Sequence, residues 1–289
     1  MKLILEKITT DKKDQKSIIF ADAHVHIYEC FEINNFLRSA FKNFDKVANQ
    51  ITLKNYNYSA ILFLAETSQN NYFDFFNNLA NKNIQPFPDL EITKTHEICS
   101  LTINASGNQK LYLIAGQQIV TDENLEVLGL ATIRKIQDGK PIHNVIDQII
   151  HTGGIPVIPW GVGKWIGYRG AVLKKLLTTH NFPYLFLGDN SGRPMFWSKP
   201  PLFQLAQKKG IKTLPGSDAL PFNSESSRAG SFGFSVYGTV DAKAPIQSLK
   251  QILLQSEVEI KPYGLPETPF RFIKNQIAMQ IVKHQKNHR

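Results

Sequence analysis

The chain has only two cysteines, Cys30 and Cys99, among its 289 residues. Two cysteines cannot build the disulfide framework that stabilises small secreted domains, so a reducing, cytoplasmic environment is expected. The sequence also lacks an uninterrupted apolar run of about 18 residues, the length that a helix needs to span a bilayer. The first sixteen residues, MKLILEKITTDKKDQK, contain no long apolar segment of the signal-peptide kind. We therefore expect a cytoplasmic protein with no membrane partner.

Several motifs that mark common enzyme classes are also missing. The sequence contains no Gly-x-x-x-x-Gly-Lys-Ser/Thr or Gly-x-Gly-x-x-Gly motif to bind nucleotide phosphates, and no Gly-x-Ser-x-Gly nucleophile elbow. The formal net charge is +9, but lysine outnumbers arginine and is spread along the chain without an arginine-rich cluster. The positive charge is interpreted mainly as that of solvated side chains on the protein surface. The spread of the lysines argues against a nucleic-acid partner without excluding one.

Short apolar segments alternate with helix-compatible stretches along much of the chain. Strands are predicted at 17–23, 60–65, 155–158, 184–187 and 212–214, and helices at 32–49, 70–82, 142–151, 168–180 and 200–209. Repetition of strand then helix predicts a largely parallel sheet covered by helices. The length suits one large core, and no linker or repeat divides the chain, so a single domain over 1–289 is expected.

Two segments depart from this repetition. Residues 90–132 are typical of extended strands, with a hairpin turn at 105–108, and are interpreted as a β-hairpin insertion or an elaboration of a sheet edge. Residues 266–287 are predicted to form a C-terminal helix. Its apolar residues share one face, which we expect to pack on the body of the protein: Phe270, Ile273, Ile277 and Ile281.

The segment Asp22-x-His24-x-His26 closes the first predicted strand. Side chains alternate between the two faces of a strand, so these three residues project to the same side and the two imidazoles converge. Imidazole nitrogen is a common ligand for Zn, Fe or Mn, and a neighbouring carboxylate such as Asp22 can support a ligating histidine from outside the metal shell. The spacing therefore indicates a divalent-metal site. The alternative is a strand end that carries two histidines by chance.

The Asp-Ala-His-Val-His segment resembles the opening motif of the PHP (polymerase and histidinol phosphatase) family of metal-dependent phosphoesterases. Four later segments resemble family landmarks in the same order: LIAGQQI (113–119), LEVLGL (125–130), GGIPVIPWGVG (153–163) and GIKTLPGSDAL (210–220). The resemblance covers about residues 17–220. It implies a distorted (β/α)7 TIM-like barrel with metal bound at the C-terminal ends of the strands, to which the hairpin insertion and the C-terminal helix are added.

Most of the metal-binding positions of this family are changed here. Gln117-Gln118 stands where a glutamate is expected, Pro159-Trp160 replaces an Ala-His-Pro turn, and Leu220 replaces the last histidine. An amide is a poor substitute for a carboxylate, and tryptophan and leucine cannot coordinate, so a trinuclear cluster is excluded.

The surviving positions, His24, His26 and Asp218, are predicted to hold one divalent ion, Zn, Mn or Fe. Glu66 and Asp189 are the carboxylates expected at other strand ends, and each is a candidate fourth ligand or general base.

Three basic residues follow predicted strands and are candidate substrate-binding residues: Lys164, Arg169 and Arg193. Guanidinium groups suit phosphate or carboxylate, and loop residues on a rigid scaffold are often functional. For each of them a surface role is the alternative. Arg228, in the serine- and glycine-rich segment 223–235, is a candidate for a mobile flap.

These observations favour a metal-dependent hydrolase that uses a metal-activated water, with a small phosphorylated compound as its substrate. The lost ligands support a second hypothesis, a catalytically degraded PHP-like binding or regulatory protein that recognises an anionic ligand. A third, nucleic-acid processing, depends only on the basic isoelectric point.

Overall fold

The computed structural model describes residues 17–51, 57–106, 109–179, 181–197 and 200–287, with side chains described as far as residue 281. The N-terminal segment searched for a signal peptide, half of the predicted turn at 105–108 and the predicted last helical residue His180 lie outside the described residues.

The described strands are β1 (Ile18–Val25), β2 (Tyr58–Leu64), β3 (Leu90–Lys94), β4 (Ser100–Ala105), β5 (Gln109–Ile114), β6 (Gly116–Val120), β7 (Glu126–Leu130), β8 (Ile155–Pro159), β9 (Phe186–Gly188), β10 (Gly233–Tyr237) and β11 (Lys261–Tyr263). They form two mixed sheets, one of seven strands in the order β11-β10-β1-β2-β5-β4-β3 and one of four in the order β6-β7-β8-β9.

Strand β1 lies inside the larger sheet, parallel to β2 and antiparallel to β10. Every residue of β1 is buried. Ile18 and Phe20 belong to one hydrophobic cluster, whereas Ile19 and Ala21 belong to another on the opposite face. Because both faces are covered, β1 is apolar along most of its length, and the polar Asp22 and His24 near its end are conspicuous.

The predicted (β/α)7 TIM-like barrel is wrong. The described strands make two separate mixed sheets and no closed barrel. A barrel of this type needs a crossover helix between successive parallel strands, whereas β3-β4-β5 and β6-β7-β8 are consecutive antiparallel neighbours. Segment 90–132 elaborates a sheet edge only in part: β3 and β4 form one edge of the larger sheet, but β5 pairs in parallel with β2 in its middle.

The helices are α1 (Ile33–Ile51), α2 (Tyr72–Asn81), α3 (Ile142–His151), α4 (Gly167–Thr179), α5 (Pro201–Lys208), α6 (Pro245–Leu254) and α7 (Pro269–Asn287). The first five lie within a few residues of their predicted positions. The strand predicted at 212–214 is instead an isolated bridge between Thr213 and Leu187. In the part of the chain that the structure describes, no helix has the length and hydropathy to cross a bilayer.

Helix α7 is present where a C-terminal helix was expected, but its apolar stripe does not pack inward. Phe270 is 80% exposed, and Ile273, Ile277 and Ile281 are also more than half exposed. The buried face of the helix carries Asn275, whose side chain donates a hydrogen bond to Glu267. The periodicity located an apolar face, but the prediction that this face packs on the body is wrong, because it points outward.

Candidate metal centre

The metal centre is built where the C-terminal end of β1 meets the loop that contains Asp218. The ladder between β1 and β2 shifts register between Asp22 and Val25, just where the histidines occur. Gly216 brings the second chain segment against β1, since a Cβ on Gly216 would lie 2.2 Å from the backbone nitrogen of His24. A side chain there would clash with the backbone of β1, so glycine is needed for this close approach.

The side chains of His24, His26 and Asp218 converge at this junction. The two Nε2 atoms of the histidines lie 3.0 Å apart, and each lies 3.4 Å from Oδ1 of Asp218. Among the described residues, these three make up the one group of three or more histidine, cysteine or acidic side chains whose ligand atoms lie close enough together to hold a metal ion.

The spacing of the three donor atoms fits a bound divalent ion. Ligand atoms at about 2.0–2.2 Å from a metal, placed at the corners of a tetrahedron, are about 3.3–3.6 Å apart. The observed separations of 3.0, 3.4 and 3.4 Å are close to that triangle. Two imidazoles and one carboxylate are also a donor set typical of Zn, Fe or Mn.

The protonation states suit a metal ligand set. Burial lowers the pKa of His24, which favours the neutral imidazole that coordinates a metal. Burial alone would raise the pKa of Asp218, but its interactions with His24 and His26 outweigh burial and lower it to about 2. Asp218 is therefore a carboxylate near neutral pH. Its side chain is 26% exposed, which also favours the charged form.

Asp218 has an unusual backbone conformation for a residue with a side chain. Its φ is +47°, in the left-handed region, and its backbone N–H donates to the carbonyl oxygen of His24 at 2.7 Å. Residues of this kind occur where the surrounding structure overcomes a local cost, often at functional positions.

Asn190, which the sequence did not suggest, holds the outer oxygen of Asp218. Its Nδ2 donates to Asp218 Oδ2 at 2.7 Å and to the carbonyl of Trp160 at 2.8 Å. Its buried Oδ1 has no partner among the described residues. Since Asn190 comes directly after Asp189 at the end of β9, position at a strand end was the signal that could have identified it.

Asp22 supports the site through the backbone. Its carboxylate accepts hydrogen bonds from the backbone N–H groups of His24, Ser217 and Gly230. These contacts hold the loop of Asp218 against β1, whereas the expected interaction was with a histidine ring. Complete burial raises the pKa of Asp22 to about 6, and the hydrogen bonds oppose that rise.

Gln118 lies next to the triad. In the sequence it was noted only as part of the Gln117-Gln118 pair that stands where the family has a glutamate. Its Oε1 lies 3.0 Å from Nε2 of His24. Its backbone N–H donates to the carbonyl of Glu66, which fixes β6 beside the end of β2. A neutral amide oxygen thus lies beside the donor triangle, next to Nε2 of His24.

The structure does not bring the carboxylates of Glu66 and Asp189 into the triad. Oε1 of Glu66 accepts the backbone N–H of Phe73 in the first turn of α2. Burial raises the pKa of Glu66, and the hydrogen bonds from the backbone N–H groups of Phe73 and Tyr72 oppose the rise, with a smaller effect from the charge of Lys135. Asp189 forms a two-pronged ion pair with Arg193, with both N···O distances 2.7 Å.

The three predicted substrate-binding cations all have protein partners. Lys164 forms an ion pair with Glu126. Arg169 donates to the backbone carbonyl of Gly163 at 2.9 Å, and Arg193, which is buried, pairs with Asp189. The charges of Lys164 and Arg193 are therefore paired with carboxylates, whereas Arg169 contacts only backbone carbonyl groups.

Arg228 lies in a buried ion-pair network and does not have the contacts of a flap residue. Its guanidinium donates to Glu225 at 2.9 Å and to Glu267 at 2.7 Å, and both carboxylate side chains are nearly inaccessible. It also donates to Oγ of Ser191, in the loop that follows Asn190. The network ties the segment before α7 to the strand-end loop beside the metal centre.

Comparison with solved structures shows a known fold. PsfC from Pseudomonas syringae PB-5123 is similar with a TM-score of 0.53 and 15% identity, over 92% of this chain and 99% of PsfC. This likeness establishes a common fold over most of both chains. No protein-family model matches the sequence, and no curated protein matches it.

Two further likenesses are weaker. The lesion-specific endonuclease PfuEndoQ from Pyrococcus furiosus is similar with a TM-score of 0.49 and 12% identity, over 86% of this chain and 59% of that one. Endonuclease Q in complex with a 27-mer duplex that contains an abasic lesion has a TM-score of 0.46 and 11% identity, over 86% and 60%. The chain spans about three-fifths of the length of these two nucleases.

Proposed function

We propose that the protein is a metal-dependent hydrolase of phosphoesters, with one divalent ion held by His24, His26 and Asp218. The observation that carries the proposal is the donor triangle, whose edges of 3.0, 3.4 and 3.4 Å suit a single ion. The resemblance of Asp22–His26 and Gly216–Leu220 to PHP motifs supports a phosphoester as the substrate.

The residues of the chain have separate roles in this proposal. A divalent ion bound here supplies a lowered pKa for a water ligand and an electrophile for the substrate oxygen. His24 and His26 are neutral ligands, and Asp218 brings one negative charge and is held by Asn190. Gln118, whose Oε1 lies 3.0 Å from Nε2 of His24, offers its amide oxygen to the ion.

The two candidates for the general base are Glu66 and Asp189. Glu66 keeps one oxygen in a hydrogen bond to α2, but burial raises its pKa and so makes its carboxylate a stronger base than that of a free glutamate, which makes it the better candidate. Asp189 is neutralised by Arg193 and is the weaker one. The ion itself is expected to be Zn, Mn or Fe.

Elemental analysis of the purified protein tests the proposal. We expect close to one equivalent of Zn, Mn or Fe, and the His24→Ala/His26→Ala double variant should lose both the metal and the hydrolysis of phosphoesters. The matched control is His96→Ala, which removes an exposed histidine far along the chain from β1 and should keep both. A folded protein that takes up none of these metals would refute the proposal.

The second candidate is a protein that binds an anionic ligand without hydrolysing it. The observation that favours it is Gln118, a neutral amide beside the triad, together with the engagement of Asp189 by Arg193. Thermal shift separates the two candidates. Stabilisation by phosphorylated compounds that remain unconsumed with added Mn or Zn supports binding, whereas turnover supports the hydrolase.

A further inference from the structure

A cleft of about 280 Å³ opens beside the metal triad. Its walls come from the residues after β2, from the start of α2, from β6 and from the loop after β7, and include Glu66, Phe73, Gln117, Gln118, Arg134 and Lys135. Gln118 belongs to both places, because it lines the cleft while its Oε1 lies 3.0 Å from Nε2 of His24. Gln118 therefore connects the cleft to the donor triangle, whose own three residues do not line the cleft.

Two cations border this cleft, and their side chains are exposed. Neither Arg134 nor Lys135 forms an ion pair with a carboxylate in the described part of the chain, although the charge of Lys135 acts on Glu66. Of the three cations that the sequence suggested, Lys164 pairs with Glu126 and Arg193 with Asp189, whereas Arg169 donates only to backbone carbonyl groups. The positive charge at the cleft thus lies on the loop after β7, and the carboxylates of Glu66, Asp74 and Asp138 line the same cleft.

Gln117 holds this loop in place. Its Nε2 donates to the backbone carbonyl of Arg134 at 2.6 Å, and its Oε1 accepts the backbone N–H of Ile136 at 3.1 Å. The backbone N–H of Arg134 donates to Oγ1 of Thr132 at 3.1 Å. The backbone that carries the two cations is therefore fixed before a ligand binds, which lowers the entropic cost of binding.

We propose that this cleft binds the substrate, and that Arg134 and Lys135 bind its phosphate group. The inference rests on the proposed hydrolase function and identifies where and how its substrate is held. A guanidinium binds phosphate oxygens in a two-pronged geometry, and an ammonium adds a point charge. Phe73 and Ala115 give the organic part of the substrate an apolar wall.

The size of the cleft favours a small substrate. Pockets for small molecules enclose roughly 300–1,000 Å³, and the volume of this cleft lies just below that range. A specific nucleic-acid interface buries roughly 1,000–2,500 Å² of protein surface and carries many cations, whereas two cations border this cleft. The substrate is therefore a small phosphorylated compound.

Charge-removing variants test the assignment. Arg134→Gln and Lys135→Gln should each raise KM for phenyl phosphate, and together by about tenfold or more, with kcat changed less than about threefold and metal content unchanged. Arg38→Gln is the matched control, because Arg38 is an exposed cation on α1 that pairs with Asp89. An unchanged KM in the double variant, or an equal rise in the control, would overturn the proposal.

A second variant blocks the cleft without removing charge. Ile133 lines the cleft and is 48% exposed, so Ile133→Trp should fold normally and fill part of the cavity. We expect weaker binding of phenyl phosphate, with smaller loss for inorganic phosphate because the cations remain. Equal affinity of wild-type protein and Ile133→Trp for phenyl phosphate would place the substrate elsewhere.

Binding measured without metal separates this inference from the proposed function. In EDTA-treated protein, calorimetry with inorganic phosphate and with phenyl phosphate reports on the cleft alone. If wild-type protein binds these anions, the double variant does not, and no metal-dependent hydrolysis is found, the cleft assignment stands and the hydrolase proposal fails. If duplex DNA displaces phenyl phosphate at lower concentration than inorganic phosphate does, the small-substrate assignment fails.

Discussion

Nδ2 of Asn190 donates a hydrogen bond of 2.7 Å to Oδ2 of Asp218. The oxygen that Asn190 holds is the one that faces away from the histidines, because Oδ1 of Asp218 lies 3.4 Å from each Nε2. The amide therefore directs Oδ1 toward the position that a metal ion would occupy. Partners of metal ligands commonly affect metal affinity almost as much as the ligands do.

We predict that Asn190→Ala weakens metal binding by about 10–100-fold, because Asp218 loses the donor that orients it. Competition for Zn against a chelator of known affinity measures the change. Asn144→Ala on α3 removes an exposed asparagine and is the matched control, with affinity expected to equal that of wild-type protein. Wild-type affinity in Asn190→Ala would show that Asp218 is oriented by other contacts.

Arg228→Met should destabilise the folded protein by about 3–5 kcal/mol, because it leaves the buried carboxylates of Glu225 and Glu267 with less compensation. Denaturant unfolding measures the loss. Lys261→Met breaks an exposed pair with Glu259 and should cost less than about 1 kcal/mol. Similar losses in the two variants would mean that the network around Arg228 contributes no more than a surface pair.

The outward face of α7 predicts unequal effects of two Ile→Ala substitutions. Ile277 is 58% exposed, so Ile277→Ala should change the free energy of unfolding by less than about 0.5 kcal/mol. Ile146 on α3 is fully buried, and Ile146→Ala should cost about 2–5 kcal/mol. The same denaturant titration compares them, and a loss of several kcal/mol at Ile277 would show that this face is covered in solution.

The two thiols should differ in their reaction with iodoacetamide. Burial raises the pKa of Cys99 to about 11, with a further contribution from the charge of Glu97, so little reactive thiolate forms near pH 8.5. Cys30 is exposed. Peptide mass spectrometry should show Cys99 alkylated at least about tenfold more slowly than Cys30, with the rate at Cys99 still rising above pH 9.

Unfolded protein is the control for this measurement, since both thiols should then react at similar rates. Equal rates at Cys30 and Cys99 in folded protein at pH 8.5 would show that the surroundings of Cys99 admit solvent freely.

Local patterns in the sequence were enough to predict the beginning of the candidate site. The period of a strand places Asp22 and His24 on one side, and the apolar residues before them predict the buried strand that β1 forms. The first five helices were predictable for the same reason, because their apolar periodicity depends on neighbours along the chain.

Pairing between strands could not be read from those patterns. Strand β5 lies parallel to β2, yet it also pairs antiparallel with β4, and the choice depends on contacts between residues distant in sequence. The barrel was wrong for this reason. The stripe of α7 faces outward while Asn275 on the opposite face is buried and bonded to Glu267, and apolar periodicity does not report such a contact.

The sequence by itself determined the donor types and their spacing in Asp22-x-His24-x-His26, because these follow from the geometry of one strand. Asp218 was proposed from a resemblance, and the tertiary structure placed its Oδ1 3.4 Å from both rings. Tertiary structure alone decided that Gln118 and Asn190 join this centre, and that Arg134 and Lys135 border the cleft beside it. Each of these four residues comes from a different part of the chain than β1, and only folding determines the distance between them.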